Sequence, residues 1–572
     1  MKFFIKKKYI IFFLSIILTI ESNALEKDSR IQYTSENISN YFLGIVSASK
    51  DHNEKVLKHL NKIKSIKEKH SQFNIEYLRT LVLLEKFKQA SDFSKRIWKE
   101  EEFFFEADLL LGLKYFKDKD YIKAEKHFER LNEITRYNLV FDDFIGNVLI
   151  AWIRASQGNE KESFEFIERV PKYYTQLKRT QDVFLKCYFD SKATKESFER
   201  LINDEEYNFS RYNFFLINYL LSTGRSTEAK KILKKSREKY NSNLLLKQTE
   251  FFINNDESKK IKNFFNCKKP EDSLAEFFYV IANLYSSEKD YQLSNFYLKI
   301  SFFLNNKFLT NKALLAENFF YQKKYEPAIE IYHSLKPIGS IYSWHASKNI
   351  AQILINTKGK KYSINNLETE FNLLPKPNFE NYAELANFYK ENEYYKESIK
   401  YYSLALKVIS QDHSLIPKIL YRRGSSYERL GDWENAEKDL LDSLKILPNQ
   451  PHVLNYLGYS WIDKGINLDK GLEMIKKAVS LTENDGYIID SLGWAYYAKE
   501  NYVEAELHLQ RAVELLPLDP IINDHYADTL WMLNKSVQAR YFWKNILSLD
   551  SSEQKLKDAV NEKLIFGIDK KL

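Results

Sequence analysis

The segment Gly486–Asp519 sets small and large apolar residues in a fixed order that recurs along the chain. Counted as 34 positions, it has Leu492 and Gly493 at 7 and 8, Tyr496 at 11, Ala505 at 20, Leu509 at 24, Ala512 at 27 and Pro517 at 32. Pro417–Gln450 repeats the order with Leu420, Gly424, Tyr427, Trp433, Ala436, Leu440, Ser443 and Pro448. Pro451–Asp485 repeats it with Leu454, Leu457, Gly458, Trp461, Gly471, Ile475 and Ala478, and Pro520–Glu553 with Tyr526, Ala527, Leu530, Ala539, Trp543 and Ile546. Positions 4, 7, 8 and 11 have the spacing of one helix face, and so do 20, 24 and 27. Small residues at 8 and 20 let two antiparallel helices approach closely, and Pro at 32 stops the second. One such pair cannot bury its apolar face alone, so it requires neighbours.

These residues resemble the tetratricopeptide repeat (TPR) family, whose period is 34 and whose pattern runs W-x₂-L-G-x₂-Y, A-x₃-F, A, P. The register continues upstream. Phe379–Asp412 carries Leu385, Ala386, Tyr389, Tyr402 and Ala405; Leu309–Tyr342 carries Leu315, Ala316, Phe319, Ala328 and Tyr332. Phe105–Asn138 carries Leu111, Gly112, Tyr115, Ala124 and Phe128. Segments 178–209, 244–274 and 343–378 show no clear register. The expected fold is all-α, a right-handed α-solenoid of antiparallel helix pairs (a TPR superhelix) in two blocks. An N-terminal degenerate array would span 37–342, an irregular junction 343–378, a C-terminal array 379–553, and a helix or tail 554–572.

The N-terminus has the secretory signal pattern. Lys2, Lys6, Lys7 and Lys8 precede the apolar run Ile10–Ile20, and Ser22-Asn23-Ala24 supplies small residues before a cut at Leu25. An uncleaved anchor is the alternative. Removing 1–24 takes away four Lys and one Glu, which lowers the formal net charge from +8 to +5. That balance, without a dense Lys/Arg stripe, points away from nucleic acid. Gly486–Glu553 is locally acidic, with five Lys/Arg against ten Asp/Glu. Export permits a disulfide between the two cysteines, Cys187 and Cys267. They fall in non-adjacent repeats, however, and neighbouring helices lie ~8–10 Å apart, so two free buried thiols are expected.

No phosphate-binding loop, dinucleotide fingerprint, H-E-x-x-H, G-x-S-x-G or C-x-x-C motif occurs. His345, His508 and His525 read as packed or solvated side chains. The expectation is a protein without catalytic residues, metal or cofactor.

TPR arrays take ligands on their first helices, at positions 2, 5, 9, 12 and 13. Carried onto this chain, the resemblance implies a partner-binding groove of Asn455 and Tyr459, then Tyr487, Asp490, Trp494 and Tyr497, then Asp524, Asp528 and Trp531. Aromatics beside carboxylates suit an extended peptide with apolar and basic side chains. Packing between repeats, or a groove filled by the C-terminal helix, accounts for the same residues. The family's carboxylate clamp (Lys at 5, Asn at 9, Lys at 13) is absent, since position 5 is Tyr421, Asn455, Asp490 and Asp524 and position 9 is Ser425, Tyr459, Trp494 and Asp528. The last 170 residues or so also resemble bacterial envelope TPR proteins, often outer-membrane lipoproteins, some of which are adaptors for a periplasmic carboxyl-terminal processing protease. No lipobox Cys follows the apolar run. The implied function is a non-catalytic periplasmic scaffold or adaptor with protein or peptide partners, among them a periplasmic protease or its substrates. An inner-membrane-tethered assembly factor is the alternative.

Overall fold

The computed structural model describes residues 34–50, 52–63, 70–99, 104–135, 143–240 and 242–568. The expected signal segment 1–24 lies outside them. Among the described residues there are 31 α-helices and no strand. The helices follow one another as fifteen successive pairs and one last helix, Gln554–Phe566. The chain is an all-α solenoid.

What makes a pair is the way its first helix ends. In thirteen pairs one residue after the helix turns left-handed, and the next residue's N–H reaches back five positions to a carbonyl that the helix leaves open. Asn501 N donates to Tyr496 O at 2.9 Å, with Glu500 at φ 60° between; Asp120 N donates to Tyr115 O at 2.9 Å, past Lys119 at φ 63°. The left-handed residue is glycine at only four of the thirteen, Gly158, Gly224, Gly431 and Gly465. The other nine are Glu, Lys, Asp or Asn, held there against the clash of their own Cβ. The second helix then packs back on the first through the small positions. A Cβ on Gly458 would stand 2.8 Å from the carbonyl oxygen of Gly471, and one on Gly493 would stand 2.5 Å from Leu509 Cγ. Ala505, Leu509 and Ala512 are fully buried.

The segments without a legible register are helical as well. Thr175–Tyr188 and Thr194–Ile202 form one pair, and Leu244–Asn254 and Ser258–Phe264 another. The expected irregular junction 343–378 is occupied by the end of Ser340–Lys358 and by Lys360–Asn372. Ile364, Leu367 and Phe371 share one buried face there, and this overrides the poor helix propensity of Asn365 and Asn366. Pro375 and Pro377 fall after that helix, where Asn378 and Asn381 form a capping box that starts the next.

The structure divides into two compact units, one ending at Ile353 and one beginning at Leu354. In the first, the array folds back on itself. The helix Pro270–Ser287 packs against Phe144–Ser156 and Thr175–Tyr188, and Tyr291–Leu304 packs against Ser71–Leu83. Phe144 meets Phe277 at 5.3 Å, Phe87 meets Phe303 at 4.7 Å, and Lys299 pairs with Glu85 at 2.6 Å. A single apolar core therefore runs from Ala48 to Leu315. The second unit is layered instead, with separate small clusters between successive pairs.

The fold-back corrects the reading of the cysteines. Cys187 ends the helix Thr175–Tyr188, and Cys267 lies in the short segment before Pro270. They are disulfide-bonded, with Cα atoms 5.9 Å apart. Helix-to-helix spacing did not apply, because one partner sits on a connecting segment that the fold-back brings alongside.

Two outcomes follow for stability. Replacing Glu500 by Gly relieves its left-handed strain, offset in part by the freer unfolded chain, and raises stability by up to about 1 kcal/mol, read as a higher urea midpoint. Cys187→Ala/Cys267→Ala frees a loop of 80 residues and lowers the stability of the first unit by up to about 4 kcal/mol in the chain-entropy account. Urea unfolding with and without reductant reads this, and a midpoint that does not move contradicts it.

Candidate functional site

The nine groove residues inferred from sequence lie on three successive first helices of the second unit, Pro451–Asp463, Gly486–Ala498 and Pro520–Met532. Asp485 and Asp519 fix where the last two begin, since each side chain accepts hydrogen bonds from two N–H groups of the first turn.

Several of the nine are already engaged within the chain. Asp490 lies 3.0 Å from Nδ1 of His525 on the next first helix. The His525 ring stacks on Trp494 at 4.0 Å, and Trp494 stacks on Tyr497 at 4.5 Å with the planes 7° apart. This His525–Trp494–Tyr497 pile binds one repeat to the next. Burial draws the His525 imidazole down, but Asp490, then Asp524 and Asp528, more than offset it, and the net direction is up.

The final repeat is covered by the last helix. Lys563 Nζ lies 2.8 Å from Asp524 Oδ1 and 2.7 Å from Asp528 Oδ2. Asp528 also accepts from the Trp543 indole N–H at 2.9 Å. Burial and the neighbouring Asp524 push the Asp528 carboxyl up to about 6, against the pull of Lys563. Trp531 donates its indole N–H to the carbonyl of Ile568 at 2.9 Å. Gly567, at φ 75°, lies so near that ring that a Cβ would fall 2.0 Å from Trp531 Cζ2. At this end the groove is filled by residues 563–568.

The rest of the set is more open. Tyr487 is 58% exposed. Asn455 is half-buried with its carboxamide oxygen unbonded. Tyr459 is half-buried, its hydroxyl pushed up to about 12 by burial and by Asp463 and Asp490. Sequence reasoning read His525 as packed or solvated without assigning its partners, and it did not single out Lys563 or Ile568. The signal for His525 was there: it is position 6 of its repeat and faces the Asp at position 5 of the one before. Lys563 and Ile568 lie past the last legible repeat, where no register could assign them.

Among the described residues, no group of three or more His, Cys, Asp or Glu is placed to hold a metal ion, and no helix is long and apolar enough to cross a membrane.

The His525 arrangement is testable. Its contribution to stability is fully present below the unfolded imidazole value of about 6.5 and is lost as pH rises through the higher folded value. Asp490→Asn should therefore cost about 1.5–3 kcal/mol at pH 6 and less at pH 9. The His525 resonance, followed by NMR titration, should titrate above about 6.5 in the wild type and lower in the variant.

Known proteins bear on this geometry as follows. A family model described as Tetratricopeptide repeat matches residues 379–412 and 417–450, two of the segments delimited above by their own period. A TPR repeat-containing protein of Pseudomonas aeruginosa is 33% identical over 99 residues, which are 17% of this chain and 17% of that protein. The match thus spans about a sixth of the relative's length. Among solved structures, a thermophilic TPR protein in Thermus thermophilus is 18% identical, covers 33% of this chain and 100% of its own, and superposes with a TM-score of 0.29. The APC/C hetero-tetramer Cut9-Hcn1 is 13% identical, covers 93% of this chain and 97% of its own, and superposes with a TM-score of 0.36. The chain carries tetratricopeptide repeats, recognised by the family model at residues 379–412 and 417–450.

Proposed function

We propose that this chain is a non-catalytic scaffold or adaptor of the bacterial cell envelope, and that it presents bound proteins to a periplasmic protease. The observation that carries the reading is the helix-pair array itself. It occupies the described chain from Ser35 to Ser548 and leaves no stretch for a separate catalytic domain. Export is supported by Lys2–Lys8, Ile10–Ile20 and Ser22-Asn23-Ala24. The Cys187–Cys267 bond agrees with it, because disulfides persist in oxidising compartments. The protease role rests on the resemblance of the last repeats to envelope adaptors.

Within the second unit, Asn455, Tyr459 and Tyr487 are the groove residues left for a partner. Asp490, Trp494, Tyr497, Asp524, Asp528 and Trp531 hold repeats and the last helix together. The informative variant is therefore Asn455→Ala/Tyr487→Ala, which leaves those contacts intact. A C-terminally tagged chain is expected to begin at Leu25 in the cell and to retain specific envelope proteins, a protease among them. The variant is expected to retain several-fold less. A mature chain that still begins with Lys2–Lys8 would favour the membrane-tethered assembly factor. Retention of no protein above background would overturn the scaffold reading.

A further inference from the structure

The first unit contains a cavity of about 730 Å³, within the range of ligand sites. Every described lining residue belongs to the first helix of a pair or to the segment leading into it, and none to a second helix. It is thus the part of the inner face that the fold-back leaves unfilled. Six tyrosines line it. Tyr173 and Tyr207 are 66% and 42% exposed, at the rim, while Tyr212 and Tyr342 are 4% and 2% exposed, at the floor; Tyr174 and Tyr279 complete the set.

Among the described lining residues only Arg211 and Glu317 are charged, and they differ in their company. Arg211 is bound through Nε and Nη2. Its Nε and Nη2 lie 2.7 and 2.8 Å from the two oxygens of the buried Glu276, Nη2 also reaches Asn311 at 2.7 Å, and the guanidinium lies over Tyr279 at 3.9 Å. Glu317 has no hydrogen-bond or ion-pair partner among the described residues, and burial alone pushes its carboxyl up. It shares the lining with Tyr279 and Tyr342 and, beyond their burial, raises the hydroxyl pKa of both through its charge. The Arg211–Glu276 pair is neutral, so the cavity carries one uncompensated negative charge walled by aromatic faces.

An anionic ligand would meet the neutral buried hydroxyls of Tyr212 and Thr310, an Arg211 whose charge Glu276 already balances, and the like charge of Glu317. The N–H groups of Tyr212, Asn213 and Phe214, at the helix start facing the cavity, already bond to Phe209, Ser210 and Arg211 carbonyls. A cation gains twice, from the desolvated carboxylate and from the ring faces.

We propose that this cavity receives the side chain of a Lys or Arg on an extended peptide segment, with Glu317 as its counter-charge and the tyrosines as its walls. This rests on the reading of the chain as a protein-binding scaffold. It assigns a site to the first unit, and the chemical class of its ligand.

The test uses the full chain and a fluorescein-labelled alternating Lys–Ala decapeptide, read by anisotropy. Alternating Glu–Ala and norleucine–Ala decapeptides serve as controls, and n-butylguanidinium as competitor. The wild type is expected to bind the Lys–Ala peptide in preference to both controls and to release it to n-butylguanidinium. Glu317→Gln should weaken binding about tenfold or more. The same variant should raise the unfolding temperature of the free chain slightly, because it removes a half-buried charge that has no partner among the described residues. A folded Glu317→Gln chain that binds equally well, or a wild type that binds the Glu–Ala peptide as well or binds none, overturns the assignment. Envelope proteins retained in the same sample would confine that failure to the cavity, whereas their loss as well would sink the scaffold reading.

Discussion

A single left-handed residue, set where thirteen of the fifteen first helices end, is the device on which the rest of this molecule depends. It closes the open carbonyls of the helix and sends the chain back antiparallel within a few residues. The helix pair then exists as a unit, but its apolar face is still uncovered, and the next pair must cover it. Most of these turns use a charged or amide residue where glycine would cost less. Close approach at Gly458, Gly471 and Gly493 and burial of Ala505 and Ala512 hold the two helices near enough to force that conformation.

The two units use the same building block to different ends. In the first, the eighth pair returns to the early ones and the inner face becomes core, with Glu276 buried on Arg211 and Phe277 on Phe144. What remains of the inner face is a bounded cavity. In the second, the layers stay separate, and the inner face is finished by side chains that tie one repeat to the next, Asp490 to His525 and Asp524 and Asp528 to Lys563. Removing Lys563 would leave two buried carboxylates facing each other, the costly case for a broken pair.

Legibility in the sequence followed the period. From Pro451 to Gly486 to Pro520 the first helices start 35 and 34 residues apart, and small residues return in phase. From Thr175 to Tyr212 to Leu244 to Pro270 the spacings are 37, 32 and 26, and the second helices shrink to nine and seven residues at Thr194–Ile202 and Ser258–Phe264. A fixed-period reading loses them, and Asp190 and Asp256 at their turns give no glycine signal. The disulfide escaped for the same cause, since it depends on a contact between chain segments 80 residues apart. Position alone put Asp490, Trp494 and Trp531 on first helices. It could not tell a groove open to a partner from one already occupied by His525 and the last helix. The cavity around Glu317 was invisible because its walls come from six segments that no local pattern joins.

The most direct test of the account is hydrogen exchange on the chain alone and with the Lys–Ala peptide bound. The account predicts slow exchange throughout Thr175–Tyr188 and Leu244–Asn254 in the free chain, as in the repeats with a legible register. On binding, protection should rise in the first helices Thr175–Tyr188, Tyr212–Ser222 and Lys312–Tyr321. Fast exchange across 175–264 in the free chain would contradict the continuous array. Protection confined to second helices would contradict binding on the inner face.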